Sequence, residues 1–351
     1  MRELFLLDPD VVYLNHGSFG ACPRPVFERY QEWQRELELE PVRFMKRLPE
    51  RLEPARAALG AFVGAPPDDL VFFQNATTGV NIAARALDLQ PGDEVLATDL
   101  EYGACDLTWR HVCERAGARY VRAEVDRLFE HVSERTRAVF LSHITSETAL
   151  LLPVEEVVAR ARSEGLVTIV DGAHAVAQID LDLAALGADF YAGTCHKWLC
   201  GPKGSGFLYV RPEWQERTHP PIVSWGYEEP ATFVSRLQRQ GTRDASAYLA
   251  VPAVIEFVRE HDSRERCVEL AREARRELCD LFGTEPLAPE EQILQMASVR
   301  LPRPDPTLSQ RLFDEHGIEI PTMRDDELLR ISVAAYTERE DVDRLLAALS
   351  P

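Results

Sequence analysis

Lysine is scarce in this chain of 351 residues, where arginine carries nearly all the positive charge, and only Lys46, Lys197 and Lys203 are lysines. A lysine kept against such a background points to what arginine cannot do. It can release its proton, become a nucleophilic amine and form a Schiff base with a carbonyl. Lys197 lies in the run Tyr191-Ala-Gly-Thr-Cys-His-Lys-Trp198, about two dozen residues after Asp171-Gly-Ala-His174, which closes the apolar stretch Val167-Thr-Ile-Val170. A carboxylate in that position suits a protonated ring nitrogen, because a nearby anion favours a cation. It equally suits a structural cap.

Other segments carry compatible chemistry. Asn75-Ala-Thr-Thr-Gly-Val80 places small residues and hydroxyls between a strand and a helix, where backbone N–H groups and the helix dipole can receive a phosphate. A helix start with an ordinary cap looks much the same. Tyr102, in Leu100-Glu-Tyr-Gly-Ala104, can stack on a flat ring or serve as a core aromatic. Arg330 precedes an apolar strand and offers a planar two-pronged donor for a carboxylate.

The elements that must position these groups alternate. Leu70–Gln74, Glu94–Thr98, Arg119–Arg122, Arg137–Ser142, Val167–Val170, Asp189–Ala192 and Gly206–Val210 read as strands. Helices are expected from about Thr78, from about Gly103 and over Val154–Ser163. The pattern predicts a mainly parallel sheet covered by helices on both faces, with ligands at the carboxyl ends of the strands. After Pro252 come a long charged helix, Arg264–Phe282, then a strand at Met296–Leu301, a helix at Leu308–His316, strands at Ile318–Pro321 and Leu329–Val333, and a closing helix from about Glu338 to Leu349. This part reads as a smaller α+β domain. The Glu- and Arg-rich run from Arg35 to Arg56 reads as a solvated helical face or a dimer-surface element.

Composition narrows the function. A formal charge of −19 argues against nucleic acid and anionic membrane as partners. No stretch is apolar enough to span a bilayer, and the start lacks a secretory h-region, so a cytoplasmic protein is expected. Seven scattered cysteines without a Cys-x-x-Cys pair indicate neither a disulfide framework nor a metal site.

Taken together and in order, these segments resemble the class V aminotransferase family of fold-type I pyridoxal-phosphate enzymes. The likeness is nearest to its isopenicillin N epimerase-like and hercynylcysteine sulfoxide lyase-like branch. It rests on Tyr13-Leu-Asn-His-Gly-Ser-Phe-Gly20, the Asn75 run, Glu101-Tyr-Gly-Ala104, Asp171-Gly-Ala-His174 and Thr194-Cys-His-Lys-Trp198. Further along it rests on Gly201-Pro-Lys-Gly-Ser-Gly206, Ser224-Trp-Gly226, Gly241-Thr-Arg-Asp244 and Leu329-Arg-Ile-Ser332.

The resemblance implies a large cofactor-binding domain over residues 22–245, and a small domain made of residues 1–21 and 246–351. It implies that Lys197 forms the Schiff base with pyridoxal 5'-phosphate and moves protons at the substrate Cα. Asp171 would pair with the ring nitrogen, with Ala173 on one ring face and Tyr102 on the other. Ala76, Thr77, Thr194 and His196 would hold the phosphate, and Gly241-Thr242 would reach the phosphate of the neighbouring subunit in a homodimer with shared active sites. Arg330 would take the carboxylate of an amino-acid substrate, and Asn15 and His16 would line the entrance. Where relatives often carry His-x-x-Asn beside the ring oxygen, this chain has His143-Ile-Thr-Ser146, so that contact passes to His174 or water.

Four activities follow as expectations: epimerisation, C–S lysis, transamination and persulfide-forming desulfuration. The last needs a cysteine on a mobile loop before Arg330, and only Cys267 and Cys279 occur there, both in expected helix. Cys195 and Cys200 read as packing residues. His143 reads equally well as a satisfied polar residue and as a site residue. A catalytically silent cofactor-binding protein is the rival from another class.

Overall fold

In the computed structural model, which describes residues 1–350, twelve strands form three sheets. They are β1 (Val12–Tyr13), β2 (Leu70–Phe73), β3 (Glu94–Thr98), β4 (Arg119–Ala123), β5 (Thr136–Ser142) and β6 (Val167–Gly172). β7 (Phe190–Thr194), β8 (Gly206–Val210), β9 (Met296–Arg300), β10 (Ile318–Glu319), β11 (Thr322–Met323) and β12 (Leu328–Ser332) complete the set. The main sheet runs β2-β8-β7-β6-β5-β3-β4. Only β8 is antiparallel to its neighbours; every other pairing is parallel.

Its strands are apolar without alternation because both faces are covered. Phe72, Leu96, Val139 and Val170 enter one core, while Val71, Val95, Phe140 and Ile169 enter the other. Helices Ala76–Ala86 and Gly103–Ala116 supply Val80, Ile82, Cys105 and Trp109 to the second core, and helix Val154–Ser163 supplies Val154 and Val158 to the first. At the edge, β4 exposes Arg119 and Arg122, charges that discourage pairing with another sheet.

A three-stranded antiparallel sheet, β11-β12-β9, packs against helix Arg264–Phe282. Its central strand carries Arg330, in register with Ser298. The N-terminal segment returns to this region, since β1 pairs in parallel with β10.

Helix Val154–Ser163 and strands β3 and β8 have the expected bounds, as do helices Arg264–Phe282 and Leu308–His316. The Arg35–Arg56 run differs. It divides into helices Arg24–Leu39 and Pro41–Val63, broken at Glu40, whose φ of −142° and ψ of 65° are not helical. Pro41 explains the break: lacking an N–H and with φ fixed, it fits the first position of a new helix and not the middle of an old one.

Candidate active site

Parallel strands end on one edge, and that geometry gathers Lys197, Asp171, His174 and the Asn75 turn. Asp171 lies near the end of β6, and β7 leads from Thr194 into the turn that carries Lys197. Helix Ala76–Ala86 begins beside them, because Gly206 is paired with Thr194 and a Cβ there would fall 2.9 Å from the Asn75 Cα. Asn75 Oδ1 caps that helix by accepting from the Thr78 amide at 2.9 Å. The amides of Ala76 and Thr77 find no acceptor among the described residues, which leaves a helix N-terminus ready for an anion.

Lys197 Nζ lies 3.0 Å from His174 Nε2. Burial pushes the lysine down to about 8, the positive charge of Arg330 adds to this, and Asp171 opposes it. The His174 ring is buried, and its Nδ1 accepts from the Trp198 indole at 3.2 Å. Burial, with Lys197 and Arg330 close by, holds His174 well below the ordinary imidazole range.

Asp171 is 4% exposed, and burial raises its carboxyl. Oδ1 accepts from the Ala173 amide at 2.9 Å, and the Cys105 thiol donates to Oδ2 at 3.4 Å. The ends of β3 and β5 are tied together behind it. There Glu101, fully buried, accepts from Ser142 N at 3.1 Å, from Ser142 Oγ at 2.7 Å and from the Thr98 hydroxyl. Burial pushes Glu101 up to about 8, and Asp171 adds to it.

Arg330 is 1% exposed. Nη1 donates to the Ser146 carbonyl at 2.6 Å and Nη2 to Ser18 Oγ at 2.7 Å. Its Nε is buried without a partner, and no acidic side chain forms an ion pair with it among the described residues. Buried cations are ordinarily paired, so this one asks for an anion from outside the chain. Tyr102, just before helix Gly103–Ala116, is 43% exposed, and its ring packs on no other aromatic ring among the described residues.

Several expected residues lie elsewhere or are already engaged. His16 does not line an entrance: it is fully buried, with Nε2 3.0 Å from the Lys197 carbonyl and Nδ1 3.0 Å from Tyr336 Oη. It props the backbone beneath the lysine. Asn15 is buried and donates to Glu319 at 3.3 Å. The Thr194 hydroxyl donates to the Ala173 carbonyl at 2.8 Å. His196 Nδ1 lies 2.7 Å from the Ser205 carbonyl, which leaves Nε2 free. Gly241 and Thr242 are exposed and line a separate groove of about 950 Å³ with Pro41, Lys46 and Trp225. His143 is buried against Tyr191 Oη at 3.0 Å, and all seven cysteines are free, with Cys195 and Cys200 buried.

Trp198, Ser18, Ser146 and Cys105 were missed as partners of site residues. Trp198 follows Lys197 directly, yet only the fold aims its indole at His174. Gly20 was missed too: a Cβ there would lie 2.4 Å from the Lys197 carbonyl oxygen and 2.6 Å from that of His196. Among the described residues no group of three or more His, Cys, Asp or Glu could hold a metal, and no helix is long and apolar enough to cross a membrane.

The chain is 37% identical to isopenicillin N epimerase of Streptomyces clavuligerus, covering 99% of this chain and 96% of that one. It is 26% identical to hercynylcysteine sulfoxide lyase of Schizosaccharomyces pombe, covering 97% and 94%. Among solved structures it matches a C-DES mutant with glycine covalently linked to the pyridoxal-phosphate cofactor, at a TM-score of 0.90 and 25% identity over 99% of this chain and 98% of that one. The aminotransferase class-V model spans residues 12–345, and with these likenesses the chain belongs to the aminotransferase class-V family of pyridoxal-phosphate enzymes.

Proposed function

We propose that this protein is a pyridoxal-phosphate enzyme acting at Cα or Cβ of an amino acid, in the manner of isopenicillin N epimerase. The observation that carries the reading is Arg330, a buried guanidinium without an ion-pair partner, near enough to Lys197 to lower the proton affinity of its amine. Arg330 would bind the substrate carboxylate and thereby choose which Cα bond faces Lys197.

The residues fit the cofactor. The free amides of Ala76 and Thr77 suit its phosphate, the buried Asp171 its ring nitrogen, Ala173 and Tyr102 its two faces, and the Lys197 amine its aldehyde carbon. His196, through Nε2, would add a phosphate contact. When bound, the cofactor supplies an electron sink that makes the Cα proton acidic. Lys197, neutral in a substantial fraction near pH 8, takes that proton as general base, a contribution of roughly 10²- to 10⁴-fold. Epimerisation also requires a proton on the opposite face. With His16 engaged, the half-exposed Tyr102 or a water remains for that step.

C–S lysis is the second reading, supported by the likeness to the sulfoxide lyase and needing only one base and a departing sulfur. Persulfide-forming desulfuration is unsupported, because Cys267 and Cys279 are buried within helix Arg264–Phe282. Incubation with L-amino acids and cysteine-derived sulfoxides, followed by assays for D-isomer, pyruvate with ammonia, and transfer to a keto acid, separates the readings. Pyruvate from a sulfoxide with no epimer formed would replace the first reading by the second.

The functional unit we infer is a homodimer with shared sites, built from a large domain over 22–245 and a small one from 1–21 and 246–351. The supporting feature is the groove bearing Gly241 and Thr242, where Val42 is 70% and Trp225 67% exposed. Sedimentation should give a dimer that Val42→Asp with Trp225→Glu weakens. A wild-type monomer at micromolar concentration contradicts it.

A further inference from the structure

Three hydrogen-bonding groups stand in line at the site: the Trp198 indole, the His174 imidazole and the Lys197 amine. Their chemistry fixes the direction of the line. An indole N–H only donates, so the Trp198 contact at 3.2 Å requires a lone pair, and no proton, on His174 Nδ1. A neutral imidazole has one N–H, which then sits on Nε2. Nε2 faces Lys197 Nζ at 3.0 Å. An ammonium has three donors and no acceptor, so it would meet this N–H proton to proton. A neutral amine has the lone pair the contact needs.

We propose that Trp198 is a positioning residue: by donating to His174 Nδ1 it fixes the Nε2–H tautomer, and His174 then holds Lys197 as the unprotonated amine. The indole is itself held, 5% exposed and packed 5.1 Å from the His16 ring, while the Gln178 side chain donates to the His174 carbonyl at 2.8 Å. Protonating His174 would set an Nδ1–H against the indole N–H, so the ring cannot relay by becoming a cation without breaking the line. The groups facing this pair include Arg330 and His16 toward His174, and Asp171, Arg330 and Cys105 toward Lys197. Asp171 and Cys105 favour the ammonium, and Arg330 opposes it. The directed hydrogen bond adds to Arg330 and to burial on the side of the neutral amine. Its use in catalysis rests on the role proposed for Lys197; the hydrogen-bond direction does not.

The test uses cofactor-free, full-length protein. Because the chain has only three lysines, acetic anhydride labelling across a pH series, read by peptide mass spectrometry, resolves Lys197 from Lys46 and Lys203. The wild-type labelling midpoint should lie below about 8, the value that burial and the surrounding charges set without this hydrogen bond. In Trp198→Phe the imidazole can move its proton to Nδ1 and accept from the ammonium, and the midpoint should rise to about 8 or above, with burial and Arg330 still in place. The same substitution in a His174→Ala background should produce no shift. An unchanged midpoint in Trp198→Phe, or an equal shift without His174, overturns the proposal. Should the variant fail to fold, ¹⁵N-histidine spectra of the unmodified protein decide: His174 should carry its proton on Nε2, and a proton on Nδ1 overturns the proposal. Failure of the enzyme reading is seen separately, as absence of a borohydride-fixed cofactor adduct while the labelling midpoint stays where it is.

Discussion

Replacing Arg330 by methionine separates a residue that holds the fold from one that awaits a ligand. The guanidinium is withdrawn from water without an ion-pair partner, and its proton affinity falls from 12.5 to about 10 because of that burial, with Glu147 opposing the fall. At 1.36 kcal/mol per pH unit, this is about 3 kcal/mol of destabilisation of the folded, cofactor-free chain. The sign follows from linkage: a cation whose folded value is lowered weakens the fold at every pH below about 10, and the penalty fades only as pH rises from there toward 12.5. Against this stand the bonds to Ser146 O and Ser18 Oγ, worth about 1.5 to 3 kcal/mol each because the donor is charged, less what these water-reachable serines recover from solvent once it is gone. The two roughly offset, so Arg330→Met should unfold thermally close to the wild-type midpoint near pH 7. Acetate, a minimal carboxylate, should raise the wild-type midpoint and leave the variant unchanged. In catalysis the loss of two charge-assisted bonds predicts a fall in kcat/KM of about 10²- to 10⁴-fold. A stability loss of about 3 kcal/mol or more, as when a satisfied buried ion pair is broken, would refute the reasoning and make Arg330 structural.

Two further predictions rest on separate features. Gly20→Ala places a Cβ against the backbone carbonyls of His196 and Lys197, and such overpacking costs about 1 to 3 kcal/mol; cofactor loading, read by absorbance, should drop while the circular dichroism stays native. Glu101, raised to about 8, keeps its proton in the fold while the unfolded chain loses it, so wild-type stability should fall as pH rises from about 4.5 to 8, at most about 1.4 kcal/mol per pH unit. Glu101→Gln should flatten that slope, and an identical slope in urea unfolding would mean the carboxylate is ionised throughout.

The parts of this molecule legible in the sequence are those set by local chemistry. Strands β3 and β8 were readable because burial on both faces leaves unbroken apolar runs, and helix Arg264–Phe282 because its apolar residues recur at helical spacing between charges. The grouping of Lys197, Asp171, His174 and Arg330 was readable as a set of motifs, and the structure brings them into electrostatic reach of one another. What stayed hidden depends on tertiary direction. Ser18 and Ser146 meet Arg330 across 312 and 184 residues of chain, and nothing local marks a serine for that task. The family resemblance of its segment implied an entrance role for His16, yet its ring turns inward to the Lys197 carbonyl. Thr194 faces Ala173 for a similar reason: a hydroxyl at a buried strand end takes the nearest backbone acceptor.

Everything proposed for the site depends on Lys197, and neither of the other two lysines, carrying the cofactor. Incubating the purified protein with pyridoxal phosphate, reducing with borohydride and mapping the modified peptide by mass spectrometry tests it most directly. A single stoichiometric adduct should form on Lys197 and be abolished in Lys197→Ala. An adduct on Lys46 or Lys203 that survives that substitution, or no adduct at all, would contradict it.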